Sequence, residues 1–203
     1  MKKLLFIILF SFGFIGFCNS QSKELMEKFE SDKSMYTIDG KNIVVSKVID
    51  NVPGTKDEIY IKTKNFFARN YKDANSVLQT DDKESGVIIG KGSFPELKEW
   101  TDLFGTKSLL SAYHILRVDI KDGRIRVICS ADEWFLYKVT GKGARSSDEG
   151  YIIDYAPFTN KRFVDKGKQT EAFINLVGSM NATIDSLEKS IKDGALKQET
   201  DEW

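Results

Sequence analysis

The stretch YHILRVDIKDGRIRVICSA at residues 113–131 has the pattern of a β-hairpin. Asp122-Gly123 at its centre is the preferred pair for a two-residue type I′ turn. Pairing Lys121 with Arg124 around that turn sets the register, and successive pairs then alternate between the two faces of a sheet. The apolar pairs in this register are Ile120–Ile125, Val118–Val127 and Leu116–Cys129. The other face carries Arg117, Asp119, Lys121, Arg124 and Arg126, with Asp119 opposite Arg126. The pattern predicts two antiparallel strands with one face in the core and the other in solvent.

An amphipathic helix is predicted on each side of this hairpin. Thr55 and Glu58 have the spacing of a capping box, so a helix is expected from Lys56 to about Asn70. A second helix is expected over Thr170–Lys192, where apolar residues recur at helical spacing. Those residues are Phe173, Val177, Met180, Ile184, Leu187 and Ile191. Because this stripe is continuous, the second helix is predicted to pack on the apolar face of the sheet.

The remaining elements are predicted from β-branched runs and from turn residues. Strands are expected at residues 43–49, 77–80, 86–92, 134–139 and 151–155. Residues 95–112 are interpreted as an insertion, with a short helix that begins at Pro95 and ends before Gly105. Residues 141–150 are interpreted as a polar loop between the last two strands.

Residues 1–20 have the features of a secretory signal peptide. Lys2-Lys3 precede the largely apolar run Leu4–Phe17, which has the length of a signal-peptide core and is shorter than a membrane-spanning helix. Cleavage is predicted before Gln21 and would leave no transmembrane span, so the protein is expected to be exported, either periplasmic or secreted. The alternative is acylation of Cys18, which would make the chain an outer-membrane lipoprotein.

The composition restricts the chemistry that the chain can perform. One His and two Cys among 203 residues are too few for a His₃, Cys₂His₂ or Cys₄ metal site. Removal of residues 1–20 would leave 28 basic and 30 acidic side chains, a net charge of −2, which argues against a nucleic-acid partner. No cofactor and no metal are therefore predicted, and Cys129 is predicted to be a buried apolar residue.

Four segments carry a resemblance to a family of exported bacterial domains. They are Ile43–Val52, Pro53–Glu58, Gly86–Gly92 and Val118–Arg126. Over residues 43–131 the chain resembles the secreted domain of unknown function described as TBP-like, which occurs in Bacteroidetes-type bacteria. The resemblance implies an α+β fold with an antiparallel sheet, the element order β-α-β-β-β-β-α, and a long C-terminal helix packed on one sheet face. It implies no activity and no DNA binding, because "TBP-like" describes a shape.

The predicted elements and the resemblance together divide the chain into four parts. These parts are a signal peptide (1–20), a tether or short helix (21–34), a single TBP-like α+β domain with insertions near 95–112 and 134–155 (35–194), and an acidic tail (195–203).

The segment 138–168 is rich in Lys and Arg, and aromatic residues cluster around it. A rim of Tyr and Trp beside a basic loop is typical of surfaces that bind a glycan, a peptide or a protein. The candidate ligand-binding residues are Trp134, Tyr137, Lys138, Arg145, Tyr151 and Tyr155.

These observations favour a non-enzymatic binding module of the cell envelope, which binds a protein, a peptide or a glycan on its polar sheet face or on the 138–168 loops. No catalytic residue is assigned, because no catalytic motif is complete. One alternative is a small hydrolase that uses His114, the only imidazole, or a pair of carboxylates. The acid pairs available to such an enzyme are Asp81-Asp82, Asp132-Glu133 and Asp148-Glu149. Another alternative is a structural lipoprotein attached through Cys18.

Overall fold

Helices cover one face of an eight-stranded antiparallel sheet in the computed structural model, which describes residues 23–71 and 78–193. The strands are β1 (Thr37–Asp39), β2 (Asn42–Asp50), β3 (Leu78–Asp82), β4 (Val87–Thr101), β5 (Lys107–Lys121), β6 (Arg124–Ala131), β7 (Glu133–Val139) and β8 (Arg145–Tyr151). The helices are α1 (residues 23–31), α2 (Lys56–Asn70) and α3 (Lys166–Lys192), with short 3₁₀ helices at Asp32–Met35 and Ile152–Asp154. The α+β class and the long C-terminal helix on one sheet face are confirmed.

The long strand β5 organises the sheet, whose main order is β1-β2-β6-β5-β4-β3. Its second half pairs with β6 in the predicted register, with Lys121 opposite Arg124 and Asp119 opposite Arg126. Its first half pairs with β7, from Lys107 opposite Val139 onward, and β8 pairs with β7. The predicted hairpin is confirmed, and β7 and β8 extend the sheet past one end of β6.

The capping box at the start of α2 is confirmed. The Glu58 carboxylate accepts a hydrogen bond of 2.8 Å from the Thr55 backbone N–H, and the Thr55 hydroxyl accepts one of 3.3 Å from the Glu58 backbone N–H. These bonds satisfy backbone donors that the first turn of a helix leaves free, so the helix begins where the sequence predicts.

Helix α3 begins four residues earlier than predicted. The Asp165 carboxylate accepts hydrogen bonds from the backbone N–H groups of Gly167 and Lys168, at 3.1 and 3.2 Å, and caps the helix there. Of the two predictions for residues 21–34, a tether or a short helix, the structure shows a helix over residues 23–31. Phe29 of this helix packs edge-on against Phe173 of α3, with 5.7 Å between the ring centroids.

The core lies between the sheet and the helices. It contains the six residues of the predicted α3 stripe together with the apolar pairs of the β5–β6 hairpin. Cys129 is buried among them, as predicted, and burial raises the pKa of its thiol to about 12. Within the described ranges, no helix combines the length and the apolar composition that a membrane span requires.

The short helix predicted at Pro95 is wrong. Residues 87–101 form one strand, which pairs with β5 from Val87 opposite Asp119 to Thr101 opposite Lys107. A bulge between Phe94 and Lys98 takes up Pro95, which has no backbone N–H to offer the sheet. This segment also packs on α3, where the Asn175 side chain donates a hydrogen bond of 2.9 Å to the Leu97 carbonyl. The pairing with β5 and the packing on α3 together outweigh the local preference for a helix.

The predicted strand at 151–155 is also wrong. The strand is the polar segment Arg145–Tyr151, interpreted above as part of a loop, and Ile152–Asp154 is a 3₁₀ helix. Most of its side chains are exposed, so its sequence lacks the alternation of apolar and polar residues by which a strand is recognised. The predicted signal peptide at 1–20, Cys18 and the predicted acidic tail at 195–203 lie outside the described residues.

Candidate functional site

The sheet face opposite the helices, which we call the open face, carries the predicted charges. Strands β5 and β6 place five charged side chains there, and half-buried apolar residues lie between them. Those apolar residues are Val87, Ile89, Ile115 and Ile128. The hairpin register predicted only charged residues on this face. The open face therefore offers apolar contacts as well as charge to a partner.

A cluster of two arginines and one aspartate lies at the centre of the open face. The Asp119 carboxylate accepts hydrogen bonds from Arg117 Nε at 2.8 Å and from Arg126 Nε and Nη2 at 2.8 and 2.6 Å. Burial raises the pKa of Asp119, but the hydrogen bonds and charges of Arg117 and Arg126 outweigh it and hold that pKa below its usual value. Asp119 therefore stays ionised, and its single charge balances only one of the two guanidinium groups.

A cleft of about 740 Å³ adjoins this cluster. It lies beside the turn of the β5–β6 hairpin and is closed by Lys56 of α2 and Ser85 of the β3–β4 turn. Its cations are Lys56, Lys121, Arg124 and Arg126, and its carboxylates are Asp119 and Asp122. The charges of the hairpin can be predicted from the sequence. No local pattern predicts that Lys56 and Ser85 lie beside the hairpin. Arg124 is already paired with Asp50 at 2.8 Å, but the three other cations still outnumber the two carboxylates, which suits the cleft to a negatively charged group.

The predicted rim of aromatic and basic residues is divided between two faces of the sheet. Trp134 is fully buried, and its indole N–H has no hydrogen-bond partner within residues 23–71 and 78–193. Side chains alternate along β7, so Tyr137 lies on the open face while Trp134 and Lys138 lie on the opposite face. Trp134 is thus a core residue and is not available at the surface.

The other predicted residues lie at opposite ends of β7 and β8. Tyr137 and the exposed Arg145 are near the end of the sheet where Lys107 pairs with Val139. At the other end, the Lys41 ammonium lies 3.3 Å from the centre of the Tyr151 ring. Tyr155 packs against Phe163, with 5.2 Å between ring centroids. The structure therefore brings Tyr137 and Arg145 to one end and keeps Tyr151 and Tyr155 apart from them.

His114 is buried on the covered face of β5, with 3% of its surface exposed. Its ring stacks on Phe94 at 4.0 Å between centroids, and its Nε2 shares a hydrogen bond of 3.0 Å with the Tyr71 hydroxyl. Burial lowers the pKa of His114 to about 4. The imidazole is therefore neutral at pH 7 and is screened from solvent.

The acidic side chains give no metal site in the described part of the chain. Among residues 23–71 and 78–193, no three His, Cys, Asp or Glu side chains are grouped so that they could hold a metal ion. In the predicted pair Asp81-Asp82, Asp81 is bound by Lys64 at 2.6 Å and by the Tyr60 hydroxyl. Hydrogen bonds from Lys64 and Tyr60 lower the pKa of Asp81, so its carboxylate is ionised and engaged.

Comparisons with known proteins agree with this architecture. Residues 46–131 match the model of a family described as a domain of unknown function (DUF4468) with TBP-like fold. The chain is similar to a TBP-like protein from Parabacteroides distasonis ATCC 8503, whose crystal structure gives a TM-score of 0.54 at 13% identity, over 75% of this chain and 96% of that chain. A DUF4468 family protein from Bacteroides ovatus ATCC 8483 gives a TM-score of 0.48 at 14% identity, over 77% and 91% of the two chains. No curated protein matches the chain. Residues 46–131 are thus similar to the DUF4468 family, which is described as a domain of unknown function with TBP-like fold.

Proposed function

We propose that this chain is a non-enzymatic binding module exported to the bacterial cell envelope, and that its open face binds a partner bearing carboxylates. The apolar run at residues 4–17 supports export. The charge of the cleft supports an anionic partner, because a chain with a net charge of −2 after cleavage gathers four cations there.

The excess of cations over free carboxylates in the cleft is the observation that carries the proposal. Asp119 is already held by two arginines, and Asp122 accepts a hydrogen bond of 2.7 Å from the backbone N–H of Lys56. Lys121 has no acidic partner among residues 23–71 and 78–193. An incoming carboxylate would therefore meet Lys121 and the exposed part of the Arg126 guanidinium, whose Nε and Nη2 are already held by Asp119.

The hydrolase alternative has less support from the same residues. A general base must reach the proton that it removes, whereas His114 is covered by Phe94 and Tyr71. Asp119 lies between two guanidinium groups that keep it ionised, which makes it a poor proton donor or acceptor near pH 7. The open face therefore favours binding over catalysis.

Binding of two model polymers tests the proposal. Poly-L-glutamate and polygalacturonate carry the same carboxylates on a peptide and on a glycan, and titration calorimetry would measure their affinity for the protein. We expect one of them to bind, with an affinity that falls as salt is raised, because exposed charges are screened over about 10 Å at 0.1 M ionic strength. The polymer that binds more tightly identifies the backbone of the partner.

A double variant separates the cleft from general charge effects. Lys121→Gln with Arg126→Gln is expected to weaken binding about tenfold, since it removes two charge-assisted contacts. The matched control is Lys33→Gln with Lys192→Gln, which removes the same charge from two exposed ion pairs away from the open face. Equal losses in the two double variants, or no binding of either polymer at low salt, would contradict the proposal.

A further inference from the structure

The tip of the β4–β5 hairpin exposes two large apolar side chains at its apex. Leu103 is 100% exposed and Phe104 is 90% exposed. The turn that presents them is ordered, because the Asp102 N–H donates to the Thr106 carbonyl at 3.0 Å and the Gly105 N–H donates to the Asp102 carbonyl at 3.1 Å. Exposure of Leu and Phe to water is unfavourable, and contact with another surface that buries both side chains would remove this cost.

The tip of the β7–β8 hairpin lies directly beside it. Pairing of β5 with β7 ends at Lys107 opposite Val139, so both strands turn back at the same end of the sheet. A Cβ built on Gly141 would lie 3.6 Å from the Phe104 carbonyl oxygen, which places the two turns in contact. The second turn is closed by the Thr140 N–H, which donates to the Ala144 carbonyl at 2.8 Å. The two tips therefore form one end surface.

This end surface carries free positive charge around the apolar pair. Lys142 and Arg145 are exposed, and neither has an acidic partner among residues 23–71 and 78–193. The one carboxylate in the first turn, Asp102, accepts hydrogen bonds from the backbone N–H groups of Thr106 and Phe104 at 2.9 and 2.8 Å.

The nearest strand positions do not cancel this charge. Glu99 is paired with Lys107 at 3.0 Å, so these two charges balance each other. Lys142 and Arg145 are thus left to attract an anionic surface.

We infer that the paired tips dock on an anionic phospholipid bilayer, with Leu103 and Phe104 inserted at the interface and Lys142 and Arg145 against lipid phosphates. Interfacial binding combines buried apolar area with attraction to anionic lipids, and this surface supplies both. The inference is independent of the role proposed for the open face.

The geometry favours a bilayer over a protein partner. A stable protein interface buries about 800 Å² on each side and places its apolar anchors in fitted pockets. Here the apolar part is two side chains on a protruding turn, with charged groups close around them. A bilayer can bury these two side chains without having a complementary shape, whereas a protein partner would need a pocket that fits them.

Co-sedimentation with vesicles tests the inference. The measurement uses the mature chain beginning at Gln21, because the apolar run at residues 4–17 would itself bind lipid. We expect the protein to sediment with vesicles of equal parts phosphatidylglycerol and phosphatidylcholine, and to bind phosphatidylcholine vesicles about tenfold less. Leu103→Ser with Phe104→Ser should lower the partition coefficient about a hundredfold, because each large apolar side chain contributes about one factor of ten.

Three controls make the result specific. Ile61→Ser removes an exposed apolar side chain from α2 and should leave vesicle binding unchanged. Lys142→Gln with Arg145→Gln should weaken binding to anionic vesicles and leave the weak binding to phosphatidylcholine unchanged. Lys121→Gln with Arg126→Gln should leave vesicle binding unchanged while it weakens polymer binding, so the two proposals can fail separately.

Two outcomes would overturn the inference. One is equal sedimentation of the wild type and the Leu103→Ser/Phe104→Ser variant, provided that their thermal transitions agree. The other is absence of vesicle binding together with self-association that the same double variant abolishes, which would assign the tips to a contact between copies of the chain.

Discussion

Protonation of His114 should destabilise the fold between pH 7 and pH 5. The ring is buried between Phe94 and Tyr71, and its Nδ1 has no hydrogen-bond partner within residues 23–71 and 78–193. Burial holds the pKa of His114 near 4 in the folded protein, against an ordinary value of 6.5. Between these two values the unfolded chain takes up a proton that the folded chain does not. Stability is therefore complete above pH 6.5 and is lost as the pH falls toward 4.

The size of the effect follows from the gap between the pH and the ordinary pKa. At pH 5 the gap is 1.5 pKa units, and each unit corresponds to about 1.4 kcal/mol, so the free energy of unfolding should fall by about 2 kcal/mol. Most carboxylates titrate below pH 5, which makes this the useful pH for isolating the imidazole. The carboxylates whose pKa is lowered, such as Asp119 and Asp81, contribute only at still lower pH.

Urea unfolding at pH 7 and pH 5 measures the effect in the wild type and in His114→Gln. Glutamine does not titrate and can still hydrogen-bond to Tyr71, so each protein serves as its own reference at pH 7. We expect the wild type to lose about 2 kcal/mol more than the variant between the two values. Equal losses would mean that the folded protein binds the proton as readily as the unfolded chain, and that His114 is not buried as described.

Three further predictions concern the elements that the sequence identified. Ile125→Asp should lower the free energy of unfolding by about 3–5 kcal/mol, because it buries an unpaired carboxylate in the core; an unchanged urea midpoint would mean that residue 125 does not face the helices. Thr55→Ala should lower the free energy of unfolding by about 1 kcal/mol, because it removes the capping box with Glu58. The control Thr101→Ala, at the exposed end of β4, should lower it much less, and equal melting temperatures of the two variants would contradict the cap. Iodoacetamide should modify Cys129 only in denaturant, since burial raises the pKa of the thiol to about 12, and rapid labelling of the native protein would show that the site is open.

The polar and charged residues of the candidate sites were only partly predictable. Arg117, Asp119 and Arg126 follow from the hairpin register, because alternation along a strand assigns each of them to one face. Trp134 was assigned to a surface rim on composition, yet the same alternation places it with the core residues of β7. The exposure of Leu103 and Phe104 was not predicted, because a short helix was expected between Pro95 and Gly105. No local sequence pattern indicates whether a turn protrudes from the fold.

The sequence by itself determined the elements whose signals are local: the hairpin at Asp122-Gly123, the start of α2 at Thr55 and the apolar stripe of α3. Turn geometry, capping and periodicity each depend on residues a few positions apart, so they can be recognised without knowledge of the rest of the fold. The tertiary structure alone decided that residues 95–101 and 145–150 are strands, because their hydrogen-bond partners lie on other strands. It also decided which charges meet in the cleft and which side chains stand at the paired tips, since those contacts join segments that the chain keeps far apart.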